Sequence, residues 1–75
     1  MQSINVVLIK DQVVESLISF YPNEVKVAER TFKETCAQAD SDNWKLLSED
    51  EIENKLEDGY HLFNGGSVCI SHSIG

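Results

Sequence analysis

Tyr60-His61-Leu62-Phe63-Asn64-Gly65-Gly66-Ser67-Val68-Cys69-Ile70 places two apolar-rich runs on either side of an Asn-Gly-Gly centre, the pattern of a β-hairpin. Asparagine followed by glycine supplies the left-handed backbone angles of a tight turn, so the chain doubles back here and continues as strand toward Ile74. Two registers compete. A two-residue Asn-Gly turn pairs Phe63 with Gly66 and sets His61 opposite Val68, whereas a three-residue loop sets Leu62 opposite Val68 and Tyr60 opposite Ile70. The second is the expected register. It gathers Tyr60, Leu62, Val68 and Ile70 on one face and leaves Ser67, Cys69, Ser71 and Ser73 on the other, a half-buried sheet with a serine-rich outer side.

Immediately before this hairpin stands Ser48-Glu49-Asp50-Glu51, where Ser48 can cap a helix while Glu51 reaches back to its amide. Ile52 and Leu56 then fall one turn apart toward a core, and Gly59 suits a left-handed terminator. The spacing predicts a helix of about nine residues. Further back, Val25, Ala28, Phe32, Cys36 and Ala39 recur at helical steps after Pro22, giving a first helix from Asn23 or Glu24 to about Ala39. Its solvated side offers the pairs Glu29 with Lys33 and Arg30 with Glu34. Asp40 to Asn43, four short polar residues, read as the connection between the helices.

At the N-terminal end, Ile4 to Ile9 and Val13 to Phe20 are β-branched and leucine-rich runs separated by Lys10-Asp11-Gln12. They predict a hairpin whose turn is either Asp-Gln alone, without the glycine such turns favour, or a three-residue loop that includes Lys10. The order is strand, strand, helix, helix, strand, strand. One small α+β domain spanning residues 1–75 is expected, a four-stranded antiparallel sheet with both helices packed on one face. Neither prospective edge carries an obvious proline or lysine guard, so the sheet can extend into a second copy.

Seventy-five residues with 41% hydrophobic and 25% charged composition suit a folded globular chain with a small core. The longest apolar run, Val6 to Ile9, is far short of the ~20 residues that cross a bilayer, and no basic stretch introduces an export-type segment. A cytoplasmic location follows as the expectation, with Cys36 and Cys69 as thiols behaving like small apolar side chains.

The formal charge is −7, and its distribution is uneven. Between Asp40 and Asp58 lie eight carboxylates and two lysines, so this segment supplies a net six of the seven negative charges. Nucleic acid is excluded as a direct ligand, because phosphate neutralisation needs clustered bases and the chain has six among thirteen acids.

Other chemistry is thinly represented. Cys36, Cys69, His61 and His72 would suffice in number for zinc, but no paired motif is present and Cys36 belongs to a core stripe. Asp40, Asp42 and Glu51 fit three positions of a calcium loop, yet Trp44 and Lys45 occupy the positions of a ligand and the turn glycine. The preferred hairpin register would bring His61 toward Cys69, but a cross-strand neighbour pair on a solvated sheet does not make a nucleophile and base. Gly65-Gly66 lacks the following helix and lysine of a phosphate-cradling loop. No cofactor, metal or catalytic residue is therefore assigned.

The expected role is non-enzymatic protein binding. Asp42, Glu49, Asp50, Glu53, Glu57 and Asp58, with Trp44 as the apolar contact, are the candidate residues for a partner with a basic surface, where carboxylate rows imitate a phosphate track. In size, acidity and simple mixed architecture the chain resembles the small inhibitors that phages and mobile elements make against host defence or transcription proteins, a likeness of class that covers no motif. The resemblance implies an inhibitor that occupies a nucleic-acid-binding surface. The alternative is an assembly module that dimerises through a sheet edge or through exposed Trp44, Tyr60 and Phe63, its acids serving solubility.

Overall fold

The structure, a computed structural model, describes residues 2–74, with side chains described for residues 3–72. The expected outward placement of Ser73 therefore lies outside the described side chains. Four strands, β1 (Gln2–Lys10), β2 (Val13–Phe20), β3 (Tyr60–Phe63) and β4 (Gly66–Ile74), form one antiparallel sheet in the order β2-β1-β4-β3. Helices α1 (Val25–Ala39), α2 (Ser41–Trp44) and α3 (Glu49–Asp58) fill the middle of the chain. The α+β architecture is as the sequence predicts, with one addition. Asp40 to Asn43 do not form a plain connection, because the Asp40 carbonyl accepts from the Trp44 amide at 2.8 Å and winds one helical turn that carries Trp44 inward.

Core formation follows the α1 stripe. Ala28, Phe32 and Cys36 are fully buried against Ile4, Val6 and Val68 of the two central strands, and Trp44 closes one end. Burying a side chain such as Phe32 contributes about 1.5–3 kcal/mol relative to exposure, and few such residues exist here. Half-buried Ile52 and Leu56 attach α3 to this cluster.

The second hairpin corrects the expected register. Phe63 pairs with Gly66, His61 with Val68, and Tyr60 with Cys69, so the turn is the two-residue one. Two packing facts enforce it. A Cβ on Gly66 would lie 2.0 Å from the Ile9 carbonyl oxygen and 2.9 Å from Phe63 Cζ, so only glycine fits between β1 and the Phe63 ring. His61 faces inward, where Asp40 meets it, while Tyr60 and Leu62 turn to the open side. His61 and Cys69 consequently lie on opposite faces and form no pair.

The first hairpin also turns in two residues. Lys10 pairs with Val13, and Asp11 and Gln12 adopt positive φ of 53° and 66° without glycine. The Asp11 amide donates to the Gly65 carbonyl at 2.8 Å, so each hairpin tip supports the other. A shift of register between Leu8 and Ile9 leaves Glu15 unpaired in β2, a bulge in that strand.

All helical cover lies on one face, α1 over β1 and β4 and α3 over β3. The opposite face carries Val7, Ile9, Leu17, Tyr60, Leu62 and Cys69, with a polar band where Ser19 Oγ donates to Asn5 Oδ1 at 2.7 Å.

Candidate functional site

The acidic helix is held rigidly at both ends. Ser48 Oγ accepts from the Glu51 amide at 3.2 Å, and the Ser48 amide donates to Glu51 Oε1 at 3.4 Å, completing the capping box. Gly59 ends α3 at φ +82°, and its carbonyl accepts from the Ile70 amide at 2.8 Å, which fastens the helix to β4. A third tie crosses between helices, where Lys33 Nζ meets Glu53 Oε1 at 2.7 Å. This lysine takes Glu53 in place of its expected partner Glu29, whereas Arg30 and Glu34 do approach, at 4.0 Å.

Between α1, α3 and the adjoining ends of β1 and β4 lies an open groove of about 590 Å³. Glu53, Glu57 and Asp58 of α3 and Glu29 of α1 line it, over a floor that includes Ile4, Leu56 and Ile70, with His72 alongside. Glu53 is already met by Lys33, so Glu29, Glu57 and Asp58, without ion-pair partners among the described residues, stand above aliphatic side chains and suit a ligand group with a long apolar stem and a cationic head.

The structure divides the sequence-predicted residues into three sets. Glu53, Glu57 and Asp58 meet at the groove. Glu49 and Asp50 lie exposed in the first turn of α3, and Asp42 lies on α2 with Lys45 4.0 Å away in solvent. Among the described residues Glu49, Asp50, Glu57 and Asp58 have no ion-pair partner, so their charge faces outward uncancelled. Trp44 is the correction: it is 8% exposed and belongs to the core, as does half-buried Phe63, so neither serves as an exposed contact. Glu29 was not foreseen. Its spacing from Val25 and Lys33 sets the three on one flank of α1, and only the tertiary packing shows that this flank is the one beside α3.

A second polar feature sits beneath the surface. His61, 4% exposed, shares a 2.8 Å hydrogen bond between Nε2 and Asp40 Oδ2, and Trp44 packs edge-on against its ring at 5.0 Å between centroids. Burial alone would raise the Asp40 carboxyl pKa, but hydrogen bonds from His61 and Asn43 outweigh it and hold the group below its ordinary value. Burial, assisted by the neighbouring Asp40 charge, pushes the Cys36 thiol up to about 12. These groups do not line the groove, and they fasten β3 to the end of α1.

The would-be metal ligands are dispersed. Cys36 is in the core, Cys69 on the open sheet face and His72 at the groove, and among the described residues no three His, Cys, Asp or Glu side chains are placed to hold an ion. Asp40 and Glu51 of the calcium template are engaged with His61 and Ser48 respectively. No helix is long and apolar enough to cross a membrane among the described residues. Comparison of the chain with protein-family models, curated proteins and solved structures finds no match, so its function is read from its own residues.

Proposed function

We propose that this chain is a non-enzymatic binding module that receives a lysine- or arginine-bearing segment of a protein partner along α3 and in the groove beside it. The observation that carries this reading is the outward row of Glu49, Asp50, Glu57 and Asp58, without ion-pair partners among the described residues and mounted on a helix capped at both ends. A preformed row of carboxylates raises the encounter rate with a basic surface, and the aliphatic floor supplies the apolar contact that charge alone cannot. Where that basic surface is one the partner otherwise offers to nucleic acid, the module acts as an inhibitor by occupancy, in the manner of the phage and mobile-element proteins it resembles in size and acidity.

Capture of partners from a native lysate on the immobilised chain, then titration of the purified partner at low and several-fold higher salt, tests the reading. Binding should weaken steeply with salt, since exposed charges are screened beyond about 8 Å at physiological ionic strength. The charge-reversed variant E49K/D50K/E57K/D58K should lose binding about tenfold or more. Equal affinity for the variant and the native chain would overturn it.

A further inference from the structure

We infer that β2 is the seat of a two-fold dimer, in which two copies of this chain pair their β2 strands antiparallel and join their sheets into one continuous sheet. The inference does not depend on the acidic groove.

The order β2-β1-β4-β3 puts β2 at one edge, with β1 on its inner side and a row of amides and carbonyls facing outward. The opposite edge, β3, has four residues, too short to template another strand, whereas β2 has eight. Leu17 pairs with Val7 on the open face and Ile18 with Val6 on the helix face, yet Leu17 is 61% exposed and Ile18 41%. Val13 and Val14 are exposed as well, so β2 presents exposed apolar side chains on both faces, and of its apolar residues only Phe20 packs against the core. A solitary edge strand is ordinarily guarded by charge, proline or a bulge, and in β2 the guard is confined to the first half of the strand. Here Glu15 is the one charge in the strand, and it sits at the bulge, leaving Ser16 to Phe20 in regular pairing geometry.

Charge placement says what covers this edge. A chain of net charge −7 repels its own copies, unless the contact lies away from the acids. The acids are concentrated on α3, which packs on β3 at the far side of the sheet. Three interstrand spacings separate β3 from β2, about 14 Å, and two β3 strands in the joined sheet stand seven spacings apart, about 34 Å. Both exceed the screening length of about 8 Å at physiological salt. The edge is thus the sparsely charged, apolar side of an acidic molecule, with Glu15 the one carboxylate in its strand, and a two-fold axis brings the same leucine, isoleucine and valine side chains of each copy together.

Sedimentation over a concentration series tests the proposal. The native chain should move to twice its 8.4 kDa mass as concentration rises, and added salt should tighten that association, the opposite of its effect on capture of a basic partner. Leu17→Lys and Ile18→Lys should each weaken the dimer about tenfold or more, while Leu62→Lys, on the same open face but on β3, should leave it intact. Should a lysine variant fail to fold, the native chain still decides. Amide exchange in Ser16–Phe20 should slow with rising concentration, and exchange in β3 should not. A chain that stays at 8.4 kDa throughout, or a dimer broken by Leu62→Lys and spared by Leu17→Lys, would overturn the edge pairing.

Discussion

Removing Asp40 tests whether the buried imidazole of His61 depends on it. In Asp40→Ala, Nε2 of a ring only 4% exposed loses its 2.8 Å partner, and Nδ1 already has no protein partner. Trp44 and Phe63 flank the ring and offer it no hydrogen bond. Orphaning a buried polar group whose partner was charged costs about 2–3 kcal/mol. In a domain of this length each kilocalorie moves the melting midpoint roughly 4–8 °C, so a fall of roughly 10–20 °C is expected. His61→Leu should cost less, about 1–2 kcal/mol, because the Asp40 carboxylate retains Asn43 and some access to water. The double variant removes both polar groups and should fall short of the summed losses by about 1 kcal/mol or more. Urea unfolding followed by fluorescence of Trp44, the one tryptophan, reads all four proteins. The advantage of the native chain over Asp40→Ala also has a pH signature. A carboxyl held below its ordinary value of about 3.9 contributes stability that is complete above that value and fades as acid carries the pH down through its folded value. Strict additivity in the cycle, or a loss below about 0.5 kcal/mol in Asp40→Ala, would refute the reasoning.

Gly66→Ala drives a methyl group into the Ile9 carbonyl at 2.0 Å and should cost about 2–3 kcal/mol, with amide exchange accelerated first at the Lys10–Gly66 end of the sheet; a stability within error of native would show that β1 can yield there. Ser48→Ala removes the acceptor for the Glu51 amide and should cost about 1 kcal/mol in urea unfolding, with no change in sheet amide protection. Thiol labelling of the native chain should modify Cys69 on the half-open sheet face while Cys36, buried and raised to about 12, reacts only on unfolding; equal rates would contradict the core assignment.

What could be read directly from residues was local. The capping box at Ser48, the terminator at Gly59 and the α1 stripe each rest on interactions within a turn or two of chain; the first two are realised, and the stripe is realised at Ala28, Phe32 and Cys36, while Val25 at its start is exposed. The expected hairpin register fails at His61, because it gathers Tyr60, Leu62, Val68 and Ile70 on one face, whereas the buried partner of Val68 is an imidazole whose hydrogen-bond partner lies 21 residues away at Asp40. Gly66 offered a clue, since a glycine just past the turn marks a close backbone approach, but the approaching carbonyl belongs to Ile9 in a distant strand. Trp44 was misjudged for the same reason: its polar predecessors suggested a surface loop, and only tertiary contact shows that they form the turn that buries it. Of the acidic groove, the α3 side was legible from helical spacing. Glu29 was not, because periodicity does not say which flank of α1 leans toward its neighbour.

The pairing of β1 with β4 governs how the molecule is made. These central neighbours join residues 2–10 to residues 66–74, so the middle of the sheet is stitched from segments separated by nearly the whole intervening sequence. Each hairpin can nucleate early on its own, but the seam between them carries the entropy of closing the loop that runs from β1 to β4. Until synthesis has delivered the last of these strands, β1 waits with one flank unmatched and the α1 stripe without its full seat. Completion of the sheet therefore waits on β4, and a chaperone that shields the first hairpin during that interval would act at the point of greatest exposure.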